Sequence, residues 1–241
     1  MMSAMLSHFH QRIAEKARDQ FAAPVLIVAL GDSVTHGCME LDVYDFESVY
    51  HAQLKRLLEK THPSSTFSVI NAGSWGDLSA GGLKRLERDV IRHQPDLILL
   101  AYGLNDACEL GRERKSEFVK NIETMISRFR KETSADVIIL TPPMMLTHDN
   151  DKVHAEHRQL VTRLSGIQNG GVLAEFAEAL RQIGRRNQIA IADIQAAWKK
   201  LQDQGTDITL LLANGLNHPN SEMHRVAAEI ILNIIQEHSG A

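Results

Sequence analysis

Six consecutive apolar residues, Val25-Leu26-Ile27-Val28-Ala29-Leu30, run straight into Gly31-Asp32-Ser33-Val34-Thr35-His36-Gly37. No other stretch limits the possible folds as strongly. The run shows no polar alternation, so it reads as a strand buried on both faces. Such strands occupy the centre of open parallel α/β sheets, whose ligands bind just beyond the strands' carboxyl ends. Ser33 therefore falls where a reactive group would stand.

The rest of the chain repeats the pattern. Apolar runs at 66–70, 96–102, 135–140 and 189–194 read as four further strands. Helical spacing appears at 48–60, 83–92, 115–131, 195–204 and 221–237, with one or two helices over 161–186 broken near Gly166–Gly171. Residues 38–50 read as a loop with a short helix, and 210–220 as irregular. Alternating strands and helices predict an α/β fold, a three-layer sandwich around a mainly five-stranded parallel sheet. Met5, Leu6, Phe9, Ile13 and Ala17 predict an N-terminal helix within 1–20 lying over the sheet edge. With no linker, repeat or low-complexity tract, residues 1–241 are expected to form one domain.

Charge narrows the function. Thirty acidic residues against 26 Lys and Arg give a net charge of −4 with no basic cluster, which argues against a nucleic-acid surface. No apolar run is long enough to span a bilayer. The stretch 21–30 imitates a signal peptide, but Glu15 and Asp19 precede it and Gly-Asp-Ser follows it. Two cysteines, Cys38 and Cys108, make no disulfide framework, so a reducing, cytoplasmic setting is expected.

Three strand ends carry polar residues that a parallel sheet would bring to one rim: Ser33, Gly73 in Asn71-Ala72-Gly73, and Asn105 in Gly103-Leu104-Asn105-Asp106. A fourth group, His218, stands in Asn217-His218-Pro219-Asn220, off any helical stripe. A serine hydroxyl becomes a nucleophile when an imidazole takes its proton. Acyl transfer also needs donors aimed at the developing oxyanion.

With these four blocks in this order, the chain resembles the SGNH subgroup of GDSL-type esterases and lipases. The resemblance implies a flavodoxin-like fold and ester hydrolysis without a metal or cofactor. It assigns Ser33 as nucleophile and His218 as base, with Ser33, Gly73 and Asn105 as oxyanion donors. Short acyl (acetyl) esters, of carbohydrates among others, are the expected small-molecule substrates; thioesters and lysophospholipids are the alternatives within the family. One position departs from the pattern. The family usually has an aspartate three residues before its histidine, and here Gly215 stands there, with Asn214 one residue further back. Asn214, a backbone carbonyl, or an acid such as Asp207 or Glu222 is left to orient the imidazole.

Other readings compete. A flavodoxin-like module without catalysis could cradle an anion or glycan on the 31–37 turn. His148, Asp149, Asp151, His154 and His157 have metal-ligand chemistry but no rigid partner, so no metal is expected and the segment reads as a lining or cover of the site. Trp75 reads equally as substrate wall or core, and His36 as a packing residue. Cys38 and Cys108 read as buried free thiols.

Overall fold

The computed structural model describes residues 5–238. The ends of the expected 1–241 domain, 1–4 and 239–241, lie outside the described residues, and with them the start of the expected 1–20 helix. Helix α1 (Ser7–Arg18) leads into β1 (Val25–Gly31), the one-turn helix α2 (Ser33–His36) and a hairpin of β2 (Cys38–Glu40) and β3 (Val43–Tyr44). Then follow α3 (Tyr50–Thr61), β4 (Phe67–Gly73), α4 (Ser79–Asp89), β5 (Leu97–Ala101), α5 (Leu104–Leu110), α6 (Lys115–Glu132) and β6 (Asp136–Leu140). The chain closes with α7 (Val161–Asn169), α8 (Val172–Asn187), β7 (Ala190–Ala192), α9 (Ile194–Asp203) and α10 (Ser221–Glu237).

The main sheet has five strands in the order β4-β1-β5-β6-β7, all parallel. Helices α3 and α10 pack on each other, and α4, α6 and α8 form a second packed row. This is the expected α/β fold, a parallel five-stranded sheet between helices. It follows from the strands' composition: Leu97–Leu100 and Ile27–Leu30 are fully buried, so both sheet faces must be covered. The chain leaves β1 toward β4 on one side and reaches β5 on the other, which places a topological switch point at the carboxyl end of β1.

Three expectations need correction. Residues 38–50 hold the β2–β3 hairpin; strands of three and two residues are too short to show a period. Helix α1 does not lie over a sheet edge but beneath the amino ends of the strands. The Phe9 N–H donates to Asp136 Oδ2 at 2.8 Å, and Arg12 Nε donates to Asp96 Oδ1 at 3.0 Å. Strand β4 also runs three residues past the expected end, because backbone pairing with β1 continues to Gly31↔Gly73 whatever the side chains are.

Candidate active site

The turn that carries Ser33 is closely packed. A Cβ on Gly31 would sit 2.6 Å from the Ala101 carbonyl oxygen. Asp32 caps α2, its Oδ1 accepting the Val34 N–H at 3.0 Å. As the first residue of α2, Ser33 has an N–H without an intrahelical partner. Burial pushes the Asp32 carboxyl up to about 7; Asp106 and Asp77 push the same way, and the Val34 N–H opposes.

His218 comes from the loop before α10. An isolated bridge between Leu212 and Pro219 and the Ala213 N–H to His218 carbonyl bond at 2.8 Å hold that loop. The imidazole Nε2 lies 3.0 Å from Ser33 Oγ, and Nδ1 lies 3.3 Å from the Met39 carbonyl oxygen of the β2–β3 hairpin. A carbonyl only accepts, so Nδ1 carries the proton and Nε2 turns its lone pair to the serine hydroxyl. Burial lowers the imidazole to about 4, against the raising effect of the Met39 bond, so the ring is neutral at pH 7.

Asn214 does not orient the ring. Its Oδ1 accepts the backbone N–H groups of Leu216, Asn217 and His218 at 2.9, 3.0 and 3.0 Å, and its Nδ2 donates to Asn217 Oδ1. It shapes the loop that carries His218. Asp207 accepts the Thr209 N–H and faces His148 at 3.4 Å. Glu222 is exposed and has no partner among the described residues.

Asn105 is the second residue of α5, and its Nδ2 donates to the Asp77 carbonyl at 3.0 Å, which leaves the second amide hydrogen free of that bond. Gly73 is a correction. Its N–H already donates to Asn71 Oδ1 at 2.9 Å. The residue is glycine because a Cβ would stand 2.1 Å from the His36 backbone nitrogen. Close packing of β4 on α2 accounts for it. Gly76, one turn on, is exposed, left-handed (φ 66°) and has no backbone hydrogen bond from its N–H among the described residues.

Arg85 underlies this rim. Its guanidinium donates to Asp77 Oδ2 (2.9 Å), Asp89 Oδ2 (2.8 Å), Tyr102 Oη (2.8 Å) and the carbonyls of Ala72 (2.7 Å) and Gly31 (2.9 Å). Asp106 accepts both the N–H and the hydroxyl of Ser79, anchoring the start of α4.

A pocket of about 220 Å³ opens beside His218, walled by Trp75, Tyr44, Glu40, Asp42 and His157. Trp75 is 68% exposed, so it is not core, and it lines this pocket. His36 packs on the rings of Tyr44 and Phe46. Among the described residues no cluster of three metal-ligating side chains occurs, and Cys38 and Cys108 are both free. Burial pushes their thiols up to about 11 and about 12.

Residues 29–226 match the GDSL-like lipase/acylhydrolase family. The chain belongs to that family. It is accordingly a serine esterase of the GDSL type. A solved lipase/acylhydrolase from Enterococcus faecalis is 26% identical and superposes with a TM-score of 0.66 over 88% of this chain and 95% of its own. The acetylxylan esterase Axe2 from Geobacillus stearothermophilus is 17% identical, with a TM-score of 0.67 over 92% of this chain and 97% of its own, a likeness of fold. A protein called uncharacterized lipoprotein YqeF, from Bacillus subtilis (strain 168), is 23% identical over 88% of each chain. Among the described residues no helix is long and apolar enough to cross a membrane.

Proposed function

We propose that this GDSL-type esterase hydrolyses short acyl esters through an acyl-enzyme on Ser33. The observation that carries the reading is the 3.0 Å contact of Ser33 Oγ with an imidazole whose other nitrogen is tied to a carbonyl. His218 Nε2 takes the Ser33 proton as Oγ attacks the acyl carbon. The oxyanion is held by the Ser33 N–H and the Asn105 amide. Collapse breaks the ester C–O bond, and His218 returns the proton to the leaving alcohol. Water, deprotonated by the same imidazole, then releases the acid and frees Ser33. The acetylxylan esterase name of a structural neighbour supports acetyl groups on carbohydrate as the acyl donors. Two free cysteines support a reducing cytoplasm, which cell fractionation checks against the lipoprotein name of one relative.

The test is labelling with a fluorophosphonate probe. The wild type is expected to label at one serine, Ser33→Ala not at all, and His218→Ala at least about a hundredfold more slowly. Labelling that survives Ser33→Ala overturns the reading.

A further inference from the structure

We propose that the pocket beside His218 receives the leaving alcohol of the ester and is built for a neutral sugar ring, with Trp75, Tyr44, Glu40 and Asp42 deciding specificity. The inference rests on the esterase reading above. His218 is the group that protonates the departing oxygen, so the alcohol must leave on the side that His218 faces. The cavity that His218 itself lines is on that side.

The walls specify the chemistry. Trp75 and Tyr44 are 68% and 45% exposed and offer flat ring faces to the C–H faces of a sugar. Glu40 and Asp42, from the hairpin and its turn, are exposed and have neither hydrogen bond nor ion pair among the described residues. As carboxylates they accept only, so they match hydroxyl donors. An acyl chain or lipid tail against them would desolvate two charges without a partner. A cationic alcohol would satisfy the carboxylates, but it would also stand next to the imidazolium that forms on His218 during transfer. That charge has a carbonyl, not a carboxylate, behind it to offset the repulsion. A neutral polyol meets both conditions. The volume, about 220 Å³, has room for one ring.

The experiment compares kcat/KM for a neutral xylose acetate, p-nitrophenyl acetate and acetylcholine in the wild type, Trp75→Ala and Glu40→Gln. The wild type is expected to prefer the xylose acetate to acetylcholine. In Trp75→Ala the ratio of xylose acetate to p-nitrophenyl acetate activity is expected to fall about 10-fold, carried by KM for the sugar ester. Glu40→Gln should lower the same ratio about 3-fold, since the amide still accepts from a hydroxyl but less strongly. A ratio unchanged in both variants overturns the assignment of the pocket, and a wild-type preference for acetylcholine overturns the neutral sugar. Failure of the wild type on p-nitrophenyl acetate, together with no label on Ser33, sinks the esterase reading itself and this inference with it.

Discussion

His218 is held by a donor and an acceptor, the Ser33 hydroxyl at Nε2 and the Met39 main-chain carbonyl at Nδ1. The carbonyl fixes the tautomer as well as a carboxylate would, but contributes less to holding the imidazolium. Burial also keeps the ring deprotonated far into acid, since its value is lowered to about 4. A base must be unprotonated to act, so kcat/KM is expected to rise through about pH 4 to 5 and stay level from about 6 to 8. A pH–rate profile with its acid limb near the ordinary histidine value of about 6.5 contradicts this electrostatic account. The serine and the histidine were legible because each stands outside any packing period. Gly73 was misread for an equally physical reason. A glycine at a strand end looks the same in sequence whether its N–H is a donor to substrate or its missing Cβ lets β4 close on α2.

The ends of β1 and β4 are stitched together by one residue of α4. Arg85 reaches the Gly31 and Ala72 carbonyls and also holds Asp77, on whose carbonyl the Asn105 amide rests. The segments that carry Ser33 and Asn105 are therefore tied to a single rigid fork. Lysine keeps the charge but has three donors at one point, so it cannot reproduce that fork. Arg85→Lys is expected to cut kcat about 10-fold with KM nearly unchanged, and to cost about 2–3 kcal/mol of stability. Steady-state kinetics and urea unfolding check both, and a change confined to KM rejects a positioning role. Most elements were legible from their apolar periods, α10 to the residue. The hairpin and the one-turn α2 were not, because segments of two to four residues carry no period and owe their form to contacts distant in sequence. Met39, which faces His218, sits on such a segment.

Across the whole molecule the two ends of the sheet do different work: α1 closes the amino ends, and the polar rim with its buried acids occupies the carboxyl ends. The domain expectation, residues 1–241 as one unit, predicts a single cooperative unfolding transition. The rim should mark its pH dependence. In the folded chain Asp32 is raised to about 7 from an ordinary 3.8, so the folded state binds its proton more tightly than the unfolded. Its contribution to stability is complete below about pH 4 and is lost as pH rises through 7. Asp32→Asn removes that loss. Relative to the wild type, the variant is expected to gain on the order of 3 kcal/mol between pH 4 and pH 8, measured by unfolding at each pH. A difference that does not change with pH places the charge in water instead. The strand order was legible only as a class: apolar runs reveal which segments pair, and right-handed crossovers then limit how they can be arranged.

Orientation of the His218 imidazole by a main-chain oxygen changes what natural variation can do to it. An aspartate in that place is lost by a single codon change, whereas every amino acid that could replace Met39 brings the same carbonyl. The contact is thus insulated from substitution and exposed to insertion or deletion, because one residue gained or lost in the five-residue span from Glu40 to Tyr44 would move Met39 relative to His218. In this chain the inheritance of the active site is written partly in the length of a hairpin.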